Sequence, residues 1–578
     1  AIMELPRLPP TSSSARGRIC ENITVREAAR LQSDNTASSP SWWGRRCGGR
    51  EVLVLALPLI VSTMSWTVMN FIDRMFLLWH SQDAMAASLP AGMLHFTMIC
   101  LPLGLASYAN TFVAQYHGAG RPERIGVSVW QGVWVALACI PLFLAAIPLA
   151  PALFAASGHT GTLLEHEVTY FQVLAYGAGA GVLCGALSSF FTGRGVTWVV
   201  MVVDSSGAAL NILLDYAWIF GHWGLPAMGI EGAAWATVVS QWFRVLLYLL
   251  LIYTPNNRRT FQVVAGRRID WPLLGRLLRF GGPNGLQLLV EVAAFTILLL
   301  LVGRLGEAAM AATTLAFNIN SVAFVPMLGL GLAVTTIVGQ QLGAERPDLA
   351  ARATWTSAWI AGVYTGAMGL LYVGAPDFVM MGHAAGASPE QFAELRSVTV
   401  MLLRFVAAYC LFDATNIIFV GALKGAGDTR FILWNNLLIA PFPVLAAWIG
   451  IRWFGLGLTW CWIIITAWVC ALGVIYLGRF LQGSWRDMQV IERDLVVDLL
   501  PPPALPELAS HLQPDRQVRQ PLADAAQATV ASGLKRPVIS HAVRPGHHDD
   551  PLKSNRPAGG RIGLSGAEIP APSELIEP

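Results

Sequence analysis

Four carboxylates, Asp73, Asp215, Glu291 and Asp413, each lie within a long run of largely uncharged residues. An acid at bilayer depth costs about 2.5–3.5 kcal/mol on insertion scales, so it marks an ion pathway, a proton relay or a substrate cage. In QLLVE (287–291) Gln287 and Glu291 stand one helical turn apart, and in YCLFD (409–413) so do Tyr409 and Asp413, with Asn416 close behind. A phenol, an amide and two carboxylates form an oxygen-rich cage for a hard monovalent cation or an organic ammonium, and two facing carboxylates can share one proton. In NILLDY (211–216) Asn211 and Asp215 share a helix face, with Thr237 and Asp73 as candidate partners from neighbouring segments. The structural reading of both groups is a hydrogen-bonded knot, with Asp73 at an interface. Arg244 is more readily explained as a snorkelling or internally paired residue, and Asp204, near the start of helix five, is as readily read as facing the inside and solvated as not.

The elements that would position these groups are transmembrane helices. Hydrophobic residues make up 54% of the 578-residue chain and charged residues 13%, half the share of about 25% in a soluble domain. Twelve apolar windows, centred near residues 62, 99, 138, 178, 208, 241, 291, 326, 362, 410, 441 and 468, are long enough to cross a bilayer. Such spans must satisfy their own backbone and are therefore helices. With the N-terminus inside, the short inner loops carry 13 Lys/Arg, Lys424 among them, against 4 in the outer loops. The positive-inside rule then places both termini in the cytoplasm, with the chain multi-pass in the plasma (inner) membrane. The eight cysteines show no C-x-x-C pair, and no G-x-x-x-x-G-K-[ST] is present, so neither a metal or disulfide framework nor an ATP site is expected.

Residues 1–50 are expected to be a polar cytoplasmic segment and 485–578 a disordered cytoplasmic tail, leaving an N-lobe at 51–260 and a C-lobe at 261–484. The lobes are a repeat. A shift of 225 positions aligns 57–122 with 282–347 without a gap, with 17 of 66 positions identical. VAQYHGAGRP (113–122) falls on VGQQLGAERP (338–347), and FTGRG (191–195) lies near LKGAG (423–427). Six helices per half give parallel repeats with a binding site between them. The acids break the repeat, since Asp73 falls on Leu298 and Glu291 on Trp66, so the lobes carry different polar sites. Pro58 and Pro283 occupy equivalent positions near the starts of helices one and seven.

Together these segments, with NILLDYAWIFG (211–221), GIEGAAWAT (229–237), LLVEVAAF (288–295) and FVGALKGAGDTR (419–430), resemble the MATE family of multidrug and toxic-compound exporters across 51–484. The resemblance implies an all-α membrane fold of the MOP superfamily, with twelve helices in two lobes around a central cavity. It implies secondary antiport of organic, often cationic, compounds against protons or sodium ions. NorM-type members point to Glu291, Asp413 and Tyr409, with a sodium ion as candidate ligand there, and DinF-type members to Asp73, Asn211, Asp215 and Thr237. The chain carries both sets. No cofactor, nucleic-acid partner or enzyme activity is expected, and a monomer is. A lipid-linked oligosaccharide flippase is the nearest alternative and needs a cationic cavity. A membrane-embedded transferase is more remote, because its acids would gather at one membrane face.

Overall fold

The computed structural model describes residues 42–156, 160–384 and 389–492, and every regular element among them is helical. Twelve long helices follow in order: α1 Gly49–His80, α2 Gln82–Gly118, α3 Glu123–Ala146, α4 Gly161–Thr192, α5 Thr197–Phe220, α6 Ile230–Ile252, α7 Trp271–Gly303, α8 Glu307–Gly343, α9 Pro347–Gly374, α10 Pro389–Ala426, α11 Thr429–Phe454 and α12 Leu458–Leu481. All but α9 are both long and apolar enough to span a membrane. The α9 helix, TWTSAWIAGVYTG over 354–366, is diluted by Trp, Thr, Ser and Gly but occupies the place expected near 362. Among the described residues apolar side chains such as Phe71, Leu142, Leu300 and Leu370 are exposed while Gln115, Asn211, Asp215 and Asn436 are buried, the inversion that a lipid solvent requires.

Local chemistry sets several helix ends. Asp270 caps α7 by accepting from the Leu273 N–H at 3.0 Å, with Pro272 in the first turn. Gly221 and Gly455 end α5 and α11 at φ 75° and 60°, where a Cβ would be strained. Proline breaks the straight course elsewhere: α2 bends at Tyr108 beyond Pro102, and α11 breaks at Ala440 before Pro441. Pro58 and Pro283, expected near helix starts, stand well inside α1 and α7.

The repeat is visible in the packing. In the first lobe α2, α3 and α6 all pack on α4, and α1 packs on α5; in the second, α8, α9 and α12 pack on α10, and α7 on α11. The lobes meet along α1–α8 and α2–α7, which exchange under the same 225-residue shift. Close approaches obey it too. A Cβ on Gly104 would lie 2.6 Å from Gly285 Cα, and one on Gly329, the counterpart of Gly104, would lie 2.7 Å from Ile60, the counterpart of Gly285. In lipid no hydrophobic force drives helices together, so small residues that let backbones touch supply much of the packing.

At the end of the bundle where the even-numbered helices finish, the two repeat motifs cross. Cβ atoms on Gly118 and Gly343 would stand 1.9 Å and 2.0 Å from the Gln340 and Gln115 carbonyl oxygens. The Gln115 amide donates to Gly425 O at 2.9 Å, and the Gln340 amide donates to Gly193 O at 2.8 Å. A strap after α12 crosses this closure. Residues 485–492, expected to open a disordered tail, instead pack: Trp485 stacks on Phe480, the Val490 N–H donates to Gln115 Oε1 at 2.8 Å, and Glu492 binds Tyr116, Arg124 and Arg276. Residues 1–41 and 493–578, on which the remaining terminal expectations fall, lie outside the described residues.

Candidate functional site

In the first lobe, α1, α4, α5 and α6 bring one acidic group together. Asn211 and Asp215 are wholly buried one turn apart on α5, and Asp73 on α1 is 7% exposed. The Asn211 amide bridges the group: its nitrogen donates to Asp215 Oδ2 at 3.1 Å, and its oxygen accepts from the Thr237 N–H at 3.2 Å. The Tyr170 hydroxyl, from α4, acts on Asp73, and Asp73 and Asp215 are near enough to repel each other. Asp73 Oδ1 and Asp215 Oδ1 have no donor among the described residues. A buried carboxylate oxygen without a donor is costly, and a proton or a cation relieves it. The four residues singled out in this lobe lie together, Thr237 through its backbone N–H, and Tyr170 joins them. Nothing in the sequence around Tyr170 distinguished it, because the α4 register that aims it at Asp73 is set by packing.

The second lobe gathers a different set. The Gln287 amide donates to Glu291 Oε1 at 2.6 Å, while Gln287 Oε1 has no donor among the described residues. Asn436 of α11 also acts on Glu291, and its amide donates to the Tyr476 hydroxyl at 3.0 Å. Asp413 on α10 lies within the electrostatic reach of Glu291. Tyr409 neighbours Asp413 but is buried in an apolar cluster with Leu298 and Ile319, and its hydroxyl accepts from Asn320 at 3.4 Å. One expectation is corrected here. Lys424, counted among the inner-loop cations, belongs to the last turn of α10, and its ammonium acts on Glu291. The loop assignment failed because α10 continues to Ala426, past the apparent end of the apolar run. The Asn435–Asn436 pair inside FILWNNLLI was the sequence signal for the α11 contribution.

Nearer the closed end of α1, α5 and α6 lies a cavity of about 220 Å³, lined by Ser62, Trp66, Asp204, Gln241 and Arg244 among others, with Val325 and Leu328 from the second lobe. Arg244 donates to Asp204 Oδ1 through Nε at 3.1 Å and Nη2 at 2.6 Å, and through Nη1 to Gln241 Oε1 at 2.9 Å. Tyr248 donates to the same Oδ1 at 2.9 Å, and Ser62 to Oδ2. Of the two readings open for Arg244, internal pairing holds, and its partner Asp204 is enclosed by these bonds and not solvated. The side chains of Arg244 and Asp204 are 20% and 15% exposed, and a pair so shielded needs this many supporting hydrogen bonds.

A duplicated twelve-helix membrane body with unequal polar sites in its two lobes defines a polytopic transporter architecture. Comparison with known proteins specifies it. The MatE family model matches residues 58–217 and 283–449, two segments whose starts are 225 residues apart, the offset of the internal repeat. The multidrug resistance protein PmpM of Pseudomonas aeruginosa is 31% identical over 393 residues, covering 67% of this chain and 80% of that protein. The multidrug resistance protein NorM of Burkholderia vietnamiensis is 29% identical over 423 residues, covering 73% and 88%. Among solved structures, an outward-facing multidrug resistance MATE family transporter of the MOP superfamily superposes with a TM-score of 0.70 at 20% identity, covering 78% of this chain and all of the other. The eukaryotic MATE transporter AtDTX14 superposes with a TM-score of 0.67 at 22% identity, covering 76% and 96%. The chain belongs to the MATE family: it is a membrane-embedded transporter and not an enzyme.

Proposed function

We propose that this chain is a secondary antiporter exporting organic compounds, cationic ones foremost, in exchange for protons or sodium ions. The observation that carries the reading is the pair of carboxylate groups within the helices, Asp73–Asp215 and Glu291–Asp413, one in each lobe, the first buried with unsatisfied oxygens and the second half-buried. The names of its relatives PmpM and NorM, both multidrug resistance proteins, support it. On this reading a proton or sodium ion and a cationic substrate compete for the same acids. An ion entering from outside neutralises the site and displaces the substrate, and ion loss on the inside restores the charge that draws the next one. Linkage requires that each disfavour the other by one and the same factor. The N-lobe group is the better proton site, because two acids with donor-free oxygens repel each other and one proton satisfies both. In the C-lobe the Lys424 ammonium acts on Glu291, so a sodium ion there would draw on Asp413, Tyr409 and Gln287 together. The chain would work as a monomer in the inner membrane with both termini cytoplasmic. The flippase alternative has less support: Arg244, the arginine that lines the cavity among the described residues, is bound to Asp204.

Ethidium efflux from cells or inverted vesicles, under separately imposed sodium and proton gradients, tests this. Asp215→Asn is expected to reduce gradient-driven export at least about tenfold, the usual scale for losing a charged hydrogen-bonding partner. Loss in Glu291→Gln and Asp413→Asn instead moves coupling to the C-lobe. Export that survives all three substitutions would sink the proposal.

A further inference from the structure

The connection between the lobes, TPNNRRTFQVVAGRRID (254–270), carries four arginines and one acid. It is not a loose loop. Three α3 side chains within about one turn hold its backbone: Trp130 Nε1 donates to Val263 O at 2.9 Å, Trp134 Nε1 to Arg267 O at 2.9 Å, and Gln131 Nε2 to Arg268 O at 3.3 Å. The Asp270 N–H returns a bond to Gln131 Oε1 at 3.2 Å. With the backbone pinned in this way, Arg258, Arg259, Arg267 and Arg268 are all exposed. The single acid is already engaged, since Asp270 accepts from Arg124 at 3.1 Å and caps α7. None of the four guanidiniums meets a carboxylate among the described residues. Arg267 is also oriented: it lies 5.0 Å from the Tyr253 ring and 5.8 Å from the Trp130 ring, and its Nε donates to the Tyr253 hydroxyl at 2.8 Å.

Large apolar residues stand exposed among these cations: Val264, Ile269 and, at the first position of α7, Trp271. A soluble anion accounts for the arginines but not for this apolar company. The level where α6 leaves and α7 enters the membrane accounts for both, since headgroup phosphates lie there above acyl chains and Trp prefers that depth. We propose that this α3-clamped connection is a binding site for anionic glycerophospholipid, with the guanidiniums of Arg267 and Arg268, and of Arg258 and Arg259, holding the headgroup phosphate. The site sits on the terminus face, cytoplasmic in the orientation proposed above. Its chemistry does not depend on what the transporter exports.

The test is native mass spectrometry of the full-length chain titrated with phosphatidylglycerol and, separately, phosphatidylcholine. Binding is expected to favour phosphatidylglycerol. The double variants Arg267→Gln/Arg268→Gln and Arg258→Gln/Arg259→Gln should each weaken it by about 25-fold, because each guanidinium near an anionic surface is worth about fivefold. The same charge loss at Arg304→Gln/Arg452→Gln should leave it unchanged. If the Arg267 pair unfolds for want of its ring contacts, the 258/259 pair, which makes no side-chain bond among the described residues, still decides. Equal binding of both lipids, unchanged affinity in the 258/259 variant, or displacement by inorganic phosphate at the concentration of the lipid would overturn the site. Ethidium efflux is measured apart from this titration, so failure of transport and failure of lipid binding are separate results.

Discussion

Asp204 and Arg244 show how much a single residue depends on its partner in this bundle. Between them they collect bonds from Ser62, Tyr248 and Gln241, so neither charge is left bare. Removing one partner strands the other: Asp204→Asn is expected to destabilise the protein by about 3–5 kcal/mol. Replacing both with apolar residues of similar volume should recover most of that loss. Thermal unfolding of the two singles and the double in detergent checks it, and a double loss equal to the sum of the two single losses would mean the charges do not depend on each other. Tyr170 offers a test at the acidic group. Its hydroxyl acts on Asp73, so Tyr170→Phe should change the half-saturating concentration of the coupling ion by about tenfold and leave the fold intact. Ion-dependent efflux against a wild-type control reads this directly.

At the scale of elements, the crossing of α2 and α8 is held by glycine at two repeat-related positions. A methyl group on Gly118 or Gly343 would lie about 2 Å from a carbonyl oxygen of the opposite helix, 1.9 Å and 2.0 Å respectively, so the backbones must part. Gly118→Ala and Gly343→Ala are each expected to cost about 1–3 kcal/mol, the range for overpacking. Gly92→Ala, on the same α2 helix with nothing within 4 Å of its new Cβ, should not destabilise. Unfolding midpoints of the three variants separate a contact effect from a general effect of removing helical glycine. The two glycines were legible in the sequence as identities at the 225 offset. That each faces its partner's glutamine carbonyl was not, because a contact between helices depends on rotation about their axes.

For the molecule as a whole, Glu492 is one of the fastenings of the closure between lobes. Burial works to raise this carboxyl, but hydrogen bonds from Arg276 and Tyr116 outweigh it and bring it from 4.5 to about 2. The group joins Tyr116 and Arg124 of the first lobe to Arg276 of the second. A depressed folded-state pKa means that the stabilisation is complete above about pH 4.5 and is lost as pH falls through about 2. The group is partly exposed, so salt and solvent screen the contribution. In Glu492→Gln the acid-dependent part should vanish: its unfolding midpoint should be lower than wild type at neutral pH and fall less steeply between pH 4.5 and 2. A parallel pH course in the two proteins would remove Glu492 from the closure.

Length, hydropathy and the 225-residue repeat determined the helix count, the two lobes and the inequality of their acids, because spans in lipid must be helical and duplicated sequence folds alike. The i, i+4 spacings of Asn211 with Asp215 and of Gln287 with Glu291 were likewise local facts that a helix preserves. Only the tertiary structure decided which groups from different helices meet: Tyr170 with Asp73, Lys424 and Asn436 with Glu291, Arg244 with Asp204, and Glu492 across the closure. Each of those pairings depends on helix rotation, depth and crossing, which are set by packing between segments far apart in the chain.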